Sequence, residues 1–415
     1  MTGALVATSL AFGTYFSASI IDLSPNDPLP LGGYTQRSDK VMEAGGQPLF
    51  ARVRVLQQEG IRIALVSAEM LTIPESLAEA VRAKIPKDVH LFLTATHTHC
   101  APDSQMLNDR MTFKVPGIAS FKQRWLEEYS GRIAEAVRQA LEGPKSWLSV
   151  VATREVRLPL NRGRRPGASP DTLATFVELY GSGKHIGYVY HYTAHPVFFG
   201  HEYNRTSGDW PGALAQALEA PVLVGAIGDV SPSASGGSPE ERIQNFTAAS
   251  QEALKYPSQT LDEGPEPKLG WAEAPIELPE PTPHPEFSTA YGVPDALSQM
   301  VVKRFAPPHA QVIGFRLGKI AIVGIPGEPT SELGSEIRNW GRRIGFRSVL
   351  VVSHAGGWMG YILAPEDYDR GGYEATLAFH GREIGPRVVE AAKLALEKLA
   401  FPERYRMSQM RYASM

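Results

Sequence analysis

The stretch I-R-I-A-L-V-S-A-E-M-L-T-I-P-E-S-L-A-E-A-V-R-A-K-I-P-K-D-V-H-L-F-L-T-A-T-H-T-H, residues 61–99, decides the architecture. Ile61–Val66 is an apolar strand, Pro74–Ile85 has helical spacing, and Val89–Thr96 is a second, largely apolar strand. This strand–helix–strand unit delivers His97 and His99 at a strand's carboxyl end, the edge that ligand sites in open α/β sheets favour. Residues two apart in a strand share a face, so the two imidazoles are expected side by side. They can supply two neutral nitrogens to a metal, or one ligand and one proton shuttle, beside an open coordination position. An H-x-H pair is also common among hydrogen-bonded core and surface histidines. Its meaning therefore rests on what the remaining chain brings to the same edge.

Toward the N-terminus, Phe16–Leu23 is a strand. Leu49–Leu56 alternates, with Phe50, Arg52 and Arg54 against Ala51, Val53 and Val55, and makes a hairpin with Ile61–Val66 about Glu59-Gly60. Toward the C-terminus, Phe121–Leu141 is a helix with Leu126, Tyr129, Ile133, Ala136, Val137 and Ala140 in one stripe, stopped by Gly143-Pro144. Strands follow at Trp147–Val156, Leu173–Leu179 and Gly187–Thr193, the last delivering His195. Asp209 is placed to cap a helix with Pro211 in its first turn. Val222–Ile227 is an apolar strand ending in G-D-V-S-P (228–232), and Pro239–Leu254 is helical. The proline-rich residues 264–285 read as an extended connector or lid. Val312–Leu317 and Ile320–Ile325 form a hairpin ending in P-G-E-P-T (326–330). A helix at Ser331–Arg342, a strand at Val349–Val352, a Gly/aromatic loop over Gly356–Arg370 and a helix at Gly381–Leu399 complete the domain, with 401–415 a polar tail. The expectation is one α/β catalytic domain over residues 1–400: mixed β-sheets covered by helices, with a metal site at strand ends.

Composition narrows the function. A 415-residue chain with 43% hydrophobic and 20% charged residues is an ordinary globular protein with ample core. A net charge of −3, with no basic cluster beyond Arg162–Arg165, argues against nucleic acid as a partner. Cys100 is the single cysteine, which rules out an intramolecular disulfide and a cysteine-based zinc cluster. The apolar M-T-G-A-L-V-A-T-S-L-A-F-G start lacks a basic n-region, since the first Lys or Arg is Arg37. A cytoplasmic location is favoured, with a secreted or periplasmic one as the second reading. No run reaches the length of a membrane span.

Candidate ligands are His97, His99, His195, Glu328 and a tyrosine or aspartate. Zinc accepts imidazole nitrogen and carboxylate oxygen, and a hydrolytic zinc site activates water near neutral pH. Each residue alone has an ordinary explanation: His195 as a strand end before Pro196, Glu328 as a cap for the helix near Thr330, Asp229 and Ser231 as turn residues, Arg162 as a solvated loop cation. The G-x-S-x-G elbow is absent, so a triad hydrolase is not indicated. Ala101 stands where the metallo-β-lactamase pattern wants Asp, and no eightfold strand–helix repeat supports a barrel amidohydrolase.

Taken together, H-T-H-C-A-P (97–102), N-R (161–162), H-P (195–196), G-D-V-S-P (228–232), G-I-P-G-E-P-T (324–330) and G-Y-I-L-A-P-E-D-Y-D-R-G-G-Y-E (360–374) resemble the motif series of the neutral/alkaline ceramidases. The resemblance runs from about Phe16 to Arg387. It implies a zinc-dependent amidase that hydrolyses an N-acyl bond, in ceramide releasing fatty acid and sphingoid base. Carried over, it makes His97, His195, Glu328 and Tyr361 the zinc ligands, with Tyr368 a competing tyrosine. His99 becomes the proton shuttle, Arg162 and Tyr373 hold the amide carbonyl and its oxyanion, and Ser231 faces the scissile group as nucleophile or hydrogen-bonding partner. Asp103 and Asp229 are candidates for orienting the ligand imidazoles. Cys100 replaces the family's usual serine, Ser233 its usual asparagine, and the C-terminal β-sandwich domain that ceramidases carry is not expected. An N-acyl lipid substrate implies transient contact with a membrane surface. The alternatives are a metal-dependent hydrolase of a non-sphingolipid N-acyl or ester substrate, and a non-catalytic lipid-binding relative.

Overall fold

The computed structural model describes residues 13–166, 168–260 and 267–405. The apolar N-terminal stretch, the start of the proline-rich segment and most of the 401–415 tail lie outside the described residues.

Three sheets carry the chain, each with the same motif at one edge. In the first, the spatial order is Val89–Ala95, Ile61–Ala68, Phe50–Gln58, Tyr15–Asp22, Ser146–Trp147, with one parallel pair, Ile61–Ala68 with Val89–Ala95. In the second, it is Val222–Val224, Lys184–Tyr192, Leu173–Gly181, Val150–Arg157, Gln259–Thr260, with Val222–Val224 parallel to its neighbour. In the third, it is Leu269–Pro275, Gln311–Leu317, Ile320–Gly324, Ser348–Val352, the last two parallel. Mixed sheets of this kind are what the sequence predicts.

Period-two alternation splits each sheet between two environments. Ala64 and Val66 pack with the helices Glu75–Arg82 and Gln123–Glu142, whereas Ile63 and Leu65 turn to a core shared by all three sheets. Likewise Ala321 and Val323 face the helices Ser331–Arg343 and Ile384–Ala400, while Ile320 and Ile322 enter the shared core. Phe176 lies toward the helices Asp209–Leu218 and Pro239–Glu252, and Val177 and Leu179 point inward. Phe92 meets Phe315 edge-on at 5.3 Å, locking first sheet to third. Burying each valine, leucine, isoleucine or phenylalanine of this set contributes about 1.5–3 kcal/mol.

That arrangement changes the meaning of the Leu49–Leu56 alternation. Arg52 and Arg54 are buried, Arg52 paired with Glu69 and Arg54 donating to the Glu219 carbonyl. Three expectations are corrected. The Trp147–Val156 run is two strands: Ser146–Trp147 closes the first sheet, Val150–Arg157 enters the second, and buried Leu148 marks the crossing. Leu269–Pro275, within the segment read as connector or lid, is an edge strand of the third sheet whose Ala272 and Ala274 are buried. Asp209 does not cap its helix; its carboxylate accepts the N–H groups of Phe198, Phe199 and Trp210.

The carboxyl ends of the three parallel edges are stitched together. Ser353 N–H donates to the Val224 carbonyl at 2.9 Å, Ala95 N–H to that of His354 at 3.3 Å, and Thr94 Oγ1 to that of Ser353 at 2.8 Å. One strand end from each sheet therefore opens onto the same point.

Candidate active site

His97, His99, His195, Glu328 and His354 are all buried at this junction. The two H-T-H rings do converge, though not by strand alternation. The strand ends at Ala95, and His97 adopts a left-handed backbone with φ of 64°. Such a conformation is costly for a side chain bearing Cβ and persists where its surroundings enforce it. Here the His97 Nδ1 is fixed on the Leu71 carbonyl at 2.7 Å. His195 Nδ1 is fixed in the same way on the Ile227 carbonyl at 2.9 Å. A carbonyl only accepts, so both rings carry their proton on Nδ1 and present Nε2 as a lone pair.

Those lone pairs face one another. His97 Nε2 is 3.1 Å from His195 Nε2 and 3.2 Å from His99 Nε2. Glu328 Oε2 lies 3.6 Å from His97 and 3.4 Å from His195, with no hydrogen-bond donor of its own. Trp358 Nε1 holds the other carboxylate oxygen at 3.3 Å. Burial pushes His97, His99 and His195 below the usual histidine value, His195 to about 4. Burial works against the Glu328 carboxylate, but the adjacent histidines more than offset it and hold its carboxyl well below its usual range. Converging acceptors with no proton between them fit a cation. Neutral imidazole nitrogens with one carboxylate are the donor set zinc takes.

Glu328 is brought there by a two-stranded parallel pairing in which Glu328 stands opposite Tyr361. Tyr361 is buried, and burial with the neighbouring Glu328 pushes its phenol well above the ordinary value. Tyr368 packs instead on His284, ring centroids 4.7 Å apart. Tyr373 stands 5.9 Å from the Tyr361 ring and is 56% exposed, at the outer side of the cluster. Ser231 and Arg162 face each other across a short antiparallel pairing and line one cavity. Among the described residues, neither side chain makes a hydrogen bond or ring contact with the imidazoles.

The two aspartates proposed to orient imidazoles do not. Asp103 accepts the N–H groups of Gln105 and Ala119, and Asp229 accepts the backbone N–H and the hydroxyl O–H of Ser331. Backbone carbonyls take the orienting role. Asp229 also takes the helix-start role that Glu328 was a candidate for. Cys100 is buried in the core beside the second sheet, with Arg37 3.9 Å from its sulfur.

Sequence reasoning passed over His354 and Arg164. His354 stacks on His97 at 4.0 Å and forms, with His97 and Glu328, a second set of atoms close enough to share an ion. Its signal was present: an imidazole just past an apolar strand. Arg164 donates to the Gly228 carbonyl at 2.7 Å, bonds the Tyr361 phenol and lies 3.5 Å from Glu374. Of the N-R-G-R-R arginines it, not Arg162, reaches the surroundings of Tyr361 and Glu328.

No family model and no curated protein sequence matches the chain. Solved structures do. Neutral ceramidase from Pseudomonas aeruginosa aligns over 94% of this chain and 75% of its own, with a TM-score of 0.78 and 16% identity. A ceramidase complexed with C2 aligns over 95% and 76%, again at 0.78 and 16%. The chain therefore has the fold of the neutral ceramidases.

Proposed function

We propose that the protein is a zinc-dependent amidohydrolase cleaving the N-acyl amide bond of ceramide or a ceramide-like N-acyl lipid, releasing fatty acid and amine. The observation that carries this reading is the pair of Nδ1–carbonyl bonds that aim the His97 and His195 lone pairs at Glu328 Oε2. His97, His195 and Glu328 would hold the ion, with Tyr361 as fourth ligand. When bound, the ion supplies Lewis acidity, polarising a carbonyl and activating water near neutral pH.

The chain's own residues do the rest. His99, buried with Nδ1 free of any partner, takes the proton released as water attacks and returns it to the departing amine. Arg162 and Tyr373 hold the carbonyl and the oxyanion it becomes. Ser231 hydrogen-bonds the scissile group. Burial of His97, His99, His195 and Glu328 excludes bulk water from the cluster and strengthens the interactions made there.

Metal analysis of the purified protein, coupled to a screen of N-acyl substrates differing in head group and chain length, tests the proposal. One zinc per chain and fatty-acid release are expected. In His97→Ala both should fall to background; acyl-amide hydrolysis surviving that substitution intact would reject the assignment.

A further inference from the structure

Beside the imidazole cluster lies a cavity of about 240 Å³ whose walls include Arg162, Phe198, Ser231, Ser233 and Arg242. It adjoins the candidate centre through the backbone: His195 N–H donates to the carbonyl of Val230, the residue before Ser231, at 3.2 Å. The two arginines come from separate elements, Arg162 from the strand Asn161–Gly163 and Arg242 from the helix Pro239–Glu252. Among the described residues no carboxylate pairs with either guanidinium. Arg242 Nε is held by the Gly236 carbonyl at 3.0 Å, while the adjacent Glu241 turns back to Gly237 N–H at 2.7 Å.

With Arg162 and Ser231 engaged at the amide itself, Arg242 and the Ser233 hydroxyl, set among Val197, Phe198, Pro232 and Ala234, leave a guanidinium and a hydroxyl for a second, planar oxyanion in the same cavity. A fatty-acyl chain lodged there would strip water from the Arg242 cation without replacing it. The cavity therefore suits the amine half of an amide, not the acyl half. We propose that it is a carboxylate-binding subsite, making N-acyl amino acids the substrate class; this rests on the amidohydrolase reading above.

The test uses the zinc-loaded protein and two ketones in which CH2 replaces the amide nitrogen, so that no C–N bond can be cleaved. 4-Oxononanoate mimics N-hexanoylglycine, and 1-hydroxynonan-4-one mimics the neutral N-hexanoylethanolamine. Calorimetric titration should show the carboxylate binding roughly ten- to a hundredfold more tightly. Arg242 is exposed, so Arg242→Ala leaves the core intact and should abolish that preference without changing affinity for the alcohol. Equal binding of both ketones, or a preference unchanged in Arg242→Ala, overturns the subsite; the latter would mean that the metal centre holds the carboxylate. N-hexanoylglycine left uncleaved despite a preserved preference rejects the amidase reading alone.

Discussion

Gly33 forms the wall behind His99. Its φ is 88°, and a Cβ there would lie 2.3 Å from His99 Nδ1. The ring is also held by Tyr34, 4.8 Å away between centroids, and its own carbonyl accepts from buried Arg37 at 2.6 Å. Gly33→Ala should therefore displace the proposed proton shuttle while leaving His97, His195 and Glu328 in place. Turnover is expected to fall about 100-fold, the scale of a misplacement near 1 Å, with zinc stoichiometry unchanged. Joint loss of zinc and turnover would instead make His99 a ligand. The pairing of His97 with His99 was legible because H-x-H spacing is short and local. The left-handed turn at His97 was not, because nothing in T-H-T-H shows that Leu71 supplies the carbonyl that holds it.

At the scale of elements, the short strands that bear Glu328 and Tyr361 depend on close backbone approach. A Cβ on Gly228 would lie 2.6 Å from the Glu328 carbonyl oxygen, and Gly228 N–H already donates to the Pro329 carbonyl at 2.9 Å. Gly228→Ala must push the Glu328–Tyr361 pairing outward. It is expected to cost about 1–3 kcal/mol by overpacking and to weaken zinc retention by about tenfold or more through the displaced ligand. Thermal unfolding and chelator competition measure the two; a variant unaltered in both would show that this approach does not set the ligand position. The motifs G-D-V-S-P and G-I-P-G-E-P-T were each visible as loops after apolar strands. Their mutual contact was not, since it joins segments about a hundred residues apart. The Trp147–Val156 run failed for a related reason: both halves have strand character, and only their partners in different sheets divide them.

Three sheets share one core, so each buries the face it turns toward the others. Alternation in sequence reveals that a strand has two faces, but not whether the second meets water or another sheet. Arg52 and Arg54 are buried although they alternate with apolar residues, and His191 shows the consequence most directly. It belongs to the second sheet, yet its Nε2 bonds the Val351 carbonyl of the third at 2.9 Å. A carbonyl requires Nε2–H there, and burial pushes the imidazole down from its ordinary value to about 4. The unfolded chain takes up this proton near pH 6.5, whereas the folded one resists until about pH 4. In that window the unfolded state binds more protons, so the stability His191 contributes is complete above pH 6.5 and is lost as pH falls through 4. The full shift corresponds to about 3 kcal/mol. His191→Gln keeps an N–H for Val351 but has nothing to titrate. Denaturant unfolding of both proteins at pH 7, 5.5 and 4 should show the wild type losing stability relative to the variant by that amount. The clustered histidines His97, His99, His195 and His354 titrate alike in both proteins and cancel in the difference. A difference that stays constant across the three pH values would place the proton-linked coupling between sheets somewhere other than His191.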